Sequence, residues 1–174
     1  MTSKLKTDVL ETVSGSGTIV LNNQLSGMTS ASMPSGSVVQ VVHGHSSTAV
    51  STGGSNFADT GLAATITPAY TSSKILVIVG QPMSVSTDTA SARDVAFNIV
   101  RGTTEIVRGY GEVDMATSSR IKISISNCLN YLDSPSTTAA TTYKTQFKVN
   151  AGSCDIYVNQ HGGISTITLM EIKG

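Results

Sequence analysis

From Val38 onward, apolar residues recur at every second position or in short runs bounded by Gly, Pro, Asn and Asp, which is the pattern of strands and not of helices. It predicts strands over 37–43, 48–52, 62–67, 74–84, 95–101, 105–110, 120–132, 141–150, 155–159 and 165–172. Alternation is cleanest in Arg120-Ile-Lys-Ile-Ser-Ile-Ser126, where Ile121, Ile123 and Ile125 share one face and Lys122 and Ser124 the other. One dry face and one wet face are therefore expected there. Ile75-Leu-Val-Ile-Val79 is apolar on both faces, so it reads as a central strand with one side in the core and the other covered by a second layer or another subunit. Ile75, Val77, Val79, Ile121, Ile123 and Ile125 are the expected core or subunit-interface residues.

Helix signals are nearly absent, because no window of three turns escapes Gly, Pro, β-branched clusters or Ser-Thr tracts. Residues 88–96 have room for one turn at most. Short strands at this spacing, with turns such as Asn150-Ala-Gly152 and Val100-Arg-Gly-Thr103, predict an all-β chain built as an antiparallel, jelly-roll-like β-sandwich over 37–174. A trimeric β-prism with intertwined strands is the alternative.

Residues 1–36 read differently. Leu5, Val9, Leu10, Val13, Ile19 and Leu21 are scattered apolar points around Gly15-Ser-Gly17, too few to enclose a core. An extended anchoring arm laid along a neighbouring subunit or a docking surface is expected, because strand addition satisfies backbone groups that a lone segment cannot.

Composition sharpens this picture. Eleven basic residues balance eleven acidic ones, which leaves no electrostatic footprint for nucleic acid or an anionic membrane. Only 13% of residues are charged, so few solvated side chains hold neighbouring molecules apart, and self-association is the natural state. No apolar run is long enough for a membrane helix, and the first fifteen residues lack the apolar stretch of a signal peptide, so cytoplasmic synthesis is expected. Cys128 and Cys154 fall in or beside different strands and are expected as buried, reduced thiols.

Candidate chemistry is sparse. His43-Gly-His45 puts two imidazoles on one face of an extended segment, a weak metal-binding candidate outweighed by a plain strand-end pair. His161 sits in the polar loop Asn159-Gln-His-Gly-Gly163. No nucleophile elbow or phosphate-binding loop is present, and Glu105, Glu112 and Asp114 are near one another only in sequence. No enzyme activity and no cofactor are expected. Tyr70, Tyr110, Tyr131, Tyr143 and Tyr157 could each offer a face for sugar stacking.

Several phrases occur in one order: Thr7-Asp-Val-Leu-Glu-Thr-Val-Ser-Gly-Ser-Gly-Thr-Ile19, Met33-Pro-Ser-Gly-Ser-Val-Val-Gln-Val-Val42, Asp59-Thr-Gly-Leu-Ala-Ala-Thr-Ile-Thr-Pro68, Ser73-Lys-Ile-Leu-Val77, Tyr131-Leu-Asp-Ser-Pro-Ser-Thr-Thr-Ala-Ala-Thr-Thr-Tyr143 and Ile164-Ser-Thr-Ile-Thr-Leu-Met-Glu-Ile172. Together they resemble short tail-fibre-like, head-fibre or capsid-decorating proteins of tailed bacteriophages, including those of marine and cyanobacterial hosts. The resemblance implies a homotrimeric, non-enzymatic virion component that docks on capsid or tail through its N-terminal arm. This chain lacks a coiled coil, a collagen-like repeat and shaft repeats, which favours a compact knob, short tip or decorating subunit.

The alternative function is recognition of host surface polysaccharide, with loops near 87–93, 113–120 and 159–163 as the ligand face and Tyr110, Asp114 and His161 as ligand-facing residues.

Overall fold

All ten expected strands form, and their pairing shows how the alternation is used. The computed structural model describes residues 30–87, 92–114 and 120–174. The chain divides into two units, Met1–Ser32 and Met33–Gly174. In the first, the described part is the 3-10 turn Ser30–Ser32; Leu5, Val9, Leu10, Val13, Ile19 and Leu21 lie outside the described residues. In the second unit, Gly36 donates to the Lys173 carbonyl and Lys173 to the Ser37 carbonyl, both at 2.9 Å or less.

The second unit contains β1 (Val38–Ser46), β2 (Val50–Thr52), β3 (Ala58–Ile66), β4 (Lys74–Thr87), β5 (Arg93–Arg101), β6 (Thr104–Val113), β7 (Ile121–Asp133), β8 (Thr141–Ala151), β9 (Asp155–Val158) and β10 (Ser165–Ile172). The single helical turn allowed over 88–96 is not made at 93–96, which belong to β5. One sheet, A, runs β1-β10-β4-β9-β2 with β7 on the far side of β4; the other, B, runs β3-β8-β5-β6. Every pairing is antiparallel. β1 and β2 pair in turn with β10 and β9, so each couple acts as one interrupted strand. The eight strands that result interleave across two sheets as in a jelly roll.

Two apolar clusters fill the sandwich. Ile75, Val77 and Val79 of β4 meet Leu62, Ile66, Ile99, Tyr143, Ile167 and Leu169 in the first. Further along the same strand, Met83 and Val85 meet Val95, Phe97, Phe147, Val149, Ile156 and Val158 in the second. Buried polar side chains separate them: Gln81 on β4, Asn127 on β7, and Thr60 with Thr145, whose hydroxyls are 2.5 Å apart. The Gln81 Nε2 is buried with no hydrogen-bond partner.

Pro82 interrupts a central strand, where proline ordinarily removes a ladder bond. It sits where the neighbour of β4 changes from β10, which ends its pairing at Gly80, to β9, which begins at Met83. Asn159 bridges this step in a left-handed conformation (φ 56°), its backbone amide donating to the Pro82 carbonyl and its side chain joining Thr48 to Ser165.

Two expectations, for Cys128 and Tyr143, are corrected. Ile121, Ile123 and Ile125 share the face of β7 that looks toward sheet B, and within the single chain Ile123 and Ile125 are 37% and 39% exposed. The reason lies on β6, the sheet B strand nearest β7, which carries Gly109 and Gly111 on its inner face and so has no side chains there to cover them. Phe97 takes the space of the missing Gly109 Cβ, which would stand 2.3 Å from its ring. Cys154 is buried, whereas Cys128 is exposed on β7 because it pairs with Gly80 on the outer face; both thiols are free. Tyr143 cannot offer a stacking face, since it is wholly buried in the first cluster.

Candidate functional site

The outer face of sheet A carries two surfaces of opposite character, meeting at Pro82. Residues paired directly across strands point to one side, so the register lays Val41, Met170, Leu76 and Leu132 in one row over four strands. Val38 and Ile172 stand in the row with Lys74, and Ile78 stands between Thr168 and Asn130. Val41 is 55% exposed, Leu132 47% and Val38 44%, and no described strand lies over them. This is the outward half of Ile75-Leu-Val-Ile-Val79: Ile75, Val77 and Val79 are in the core, Leu76 and Ile78 on the surface.

Beyond Pro82 the same face turns polar. Ser84 of β4 lies between Ser124 of β7 and Tyr157 of β9, and Ser86 between Lys122 and Asp155. Small hydroxyl side chains on two adjacent strands leave a furrow. Its first part, about 310 Å³, is lined by Pro82, Ser84, Ser124, Ser126, Gln160 and His161 among others; its second, about 220 Å³, by Ser86, Thr87, Arg120 and Asp155. Lys122 crosses the serines between them, its ammonium donating to the Gln160 Oε1 and resting 5.2 Å from the Tyr157 ring centroid. Ser84 Oγ also donates to Gln160 Oε1, at 3.1 Å. His161, in a left-handed conformation at φ 56°, is exposed at the furrow wall.

The ligand-facing residues expected from sequence are not brought together. His161 is on the outer face of sheet A, while Tyr110, 61% exposed, is on the outer face of sheet B, paired with Ala96. There Arg108 donates to the Tyr110 hydroxyl and to Glu105, and sits 5.1 Å from the Phe57 ring centroid. Asp114 follows the end of β6. The expected ligand loops 113–120 and 159–163 supply Arg120, Gln160 and His161 to the furrow, but they do not foretell its floor, because it comes from strand positions whose neighbours are set by long-range register.

His43 and His45 lie on the outer face of sheet A with ring centroids 6.4 Å apart, and His43 Nδ1 is 3.2 Å from the Thr168 hydroxyl. Among the described residues no group of three or more His, Cys, Asp and Glu side chains could hold a metal ion. No helix among them is long and apolar enough to cross a membrane.

The ionisable groups in the interior serve the fold. Burial pushes the Glu171 carboxyl up, but hydrogen bonds from Ser73, Gln40 and the Ala69 and Tyr70 amides overcome this and hold it below the usual carboxylate range. Burial raises the Tyr143 phenol, as does its bond to Asp133.

Neither protein-family models nor curated proteins give a match to this sequence. Among solved structures the chain is similar to the VP2 subviral particle of infectious bursal disease virus, at 12% sequence identity and a TM-score of 0.28, over 78% of this chain and 38% of that one. This chain thus spans about two-fifths of the length of that protein. So distant a likeness bears on neither function nor assembly, and the β-sandwich stands on its own strand pairing.

Proposed function

We propose that this chain is a non-enzymatic structural subunit of a tailed-phage virion: a homotrimeric short tail-fibre-like or capsid-decorating β-sandwich, made in the host cytoplasm and docked on another virion protein through residues 1–36. The observation that carries the reading is the apolar row Val41, Met170, Leu76 and Leu132 on sheet A, over which no described strand lies. A side chain such as Leu or Val gains about 1.5–3 kcal/mol from full burial, which makes a contiguous row of them costly to leave in water. A chain with so few charges has little to oppose self-association over that row. The ordered phrases that resemble short phage structural proteins support the virion setting.

The test separates assembly from docking. A chain lacking residues 1–25 is expected to sediment as a folded trimer yet to be missing from purified particles. A truncated protein that incorporates at the normal level removes the anchoring role, and a monomeric full-length chain removes the trimer.

A second reading, recognition of host surface polysaccharide, is favoured by the hydroxyl-lined furrow beyond Pro82. Retention of the chain by host polysaccharide, and its loss when that polysaccharide is stripped, tests it.

A further inference from the structure

The furrow has a charge that the whole chain lacks. Against a formal net charge of zero, Arg120 and Lys122 stand along it with one carboxylate, Asp155. Neither cation is in a salt bridge among the described residues. Arg120 Nε reaches the Ser86 hydroxyl only at 3.4 Å, and the ammonium of Lys122 is held by a neutral amide oxygen and a ring face. An anion offers the ammonium a full opposite charge where the Gln160 oxygen offers only an amide dipole, which favours the exchange. Gln160 Oε1 keeps the Ser84 hydroxyl as a donor when Lys122 leaves it.

The shape fits an extended chain. From Pro82 to Ser86 along β4 is about 13 Å, at roughly 3.3 Å per residue. Over that length the walls present the hydroxyls of Ser84, Ser124 and Ser126, the Gln160 amide and the His161 imidazole, with the Pro82 ring as apolar surface for the face of a sugar ring. The apolar residues Met83 and Ile125 complete the lining. Hydroxyls and amides in rows match a polyol, and the two cations match an acidic substituent on it.

Resting on the polysaccharide reading above, we propose that this furrow binds an acidic oligosaccharide of the uronic-acid type, with its carboxylates on Lys122 and Arg120 and its ring hydroxyls on Ser84, Ser124, Ser126, Gln160 and His161. The site combines strand positions of sheet A with Gln160 and His161 of the 3-10 turn Gln160–Gly162 and Arg120 just before β7, and uses no position near Tyr110.

The experiment is calorimetric titration of the full chain with trigalacturonic acid, with maltotriose as the neutral sugar and a short oligothymidylate as the non-sugar polyanion. Trigalacturonic acid is expected to bind, and maltotriose to bind at least roughly tenfold more weakly. Lys122→Gln and Arg120→Gln are each expected to cost roughly tenfold or somewhat more, the low end for loss of one bond to a charged group. Ser126→Tyr, at an exposed strand position, fills the furrow and is expected to abolish binding while leaving sedimentation and the circular dichroism spectrum unchanged. Uronate binding that survives Lys122→Gln and Ser126→Tyr overturns the site but leaves sugar recognition standing. Equal affinity for the oligothymidylate overturns the sugar class in favour of a general polyanion surface. Failure of trigalacturonic acid to bind overturns the proposed ligand, and retention on host polysaccharide then decides whether the broader reading falls with it.

Discussion

Asp133, near the end of β7 in sheet A, accepts two hydrogen bonds from the Arg101 guanidinium of β5 in sheet B, at 2.9 and 2.8 Å. It also accepts one from the Tyr143 hydroxyl of β8, at 2.7 Å. The carboxylate thus ties together the two sheets at the edge where, among the described strands, β7 pairs with β4 alone. Removing it leaves a phenol and a guanidinium without their acceptor. Because the Arg101 side chain is 27% exposed and can turn to water, Asp133→Ala is expected to destabilise the fold by about 2 kcal/mol, less than a fully buried pair would cost. Urea denaturation of the two proteins reads this directly, and an unchanged midpoint refutes the tie.

Tyr143 gives this same corner an alkaline limit. Its folded pKa lies above the unfolded value of about 10, so the neutral phenol stabilises the fold fully below that pH. Above it, the unfolded chain loses a proton that the folded chain keeps, and stability falls as pH rises. Tyr143→Phe is expected to lower stability at neutral pH by about 1 kcal/mol, the worth of the lost bond, and to flatten its decline above pH ~10. Thermal melts of both proteins between neutral and strongly alkaline pH provide the comparison.

The strands were legible because alternation and breakers are local. Their exact extent was not. The third strand begins at Ala58 and not at 62, because Asp59 and Gly61, which look like turn residues, form an irregularity in the pairing with β8, Gly61 at φ +81°. Burial was legible at Ile75, Val77 and Val79, which sit in the middle of the sheet, and illegible at Ile123 and Ile125, whose cover depends on glycines in another strand. The separation of His161 from Tyr110 follows from which sheet each strand joins, and the furrow from the register of β4 against β7. No local pattern encodes either.

The apolar row on sheet A predicts an assembly defect without a folding defect. Val41 and Leu132 are its most exposed members, so charged replacements there can be solvated in the monomer and only the associated state loses their burial. The double variant Val41→Lys with Leu132→Lys is expected to sediment as a monomer at concentrations where the proposed trimer of the unaltered chain would hold. Its β-sheet circular dichroism should be the same. A variant that remains trimeric moves the interface elsewhere.

Gly109 tests the explanation for the open edge at β7. A methyl group at this position would stand 2.3 Å from Phe97 Cε2, and Phe97 is packed in the second core cluster with little space to retreat. Gly109→Ala is therefore expected to destabilise the fold by about 2 kcal/mol through overpacking, despite the better strand propensity of alanine over glycine. Restoring the space with Phe97→Leu in the same chain should recover part of the loss, as a double-mutant cycle would measure.

Glu171 sets the acid limit. It is fully buried at the end of the first core cluster, where its carboxylate gathers β1 through Gln40 and the turn before β4 through Ser73 and the Ala69 amide. Its folded pKa is depressed, so its contribution is present in full above the unfolded value of about 4.3 and is lost as pH falls from there through the folded pKa. Below that window the protonated acid can no longer accept from all four donors. Glu171→Gln imposes a similar mismatch at every pH, and is expected to cost about 2 kcal/mol at neutral pH, with a smaller difference from the unaltered chain at an acid pH below the folded pKa. Urea denaturation at both values decides it: a gap of equal size at neutral and acid pH would mean that the carboxylate charge at Glu171 does not hold this end of the sandwich.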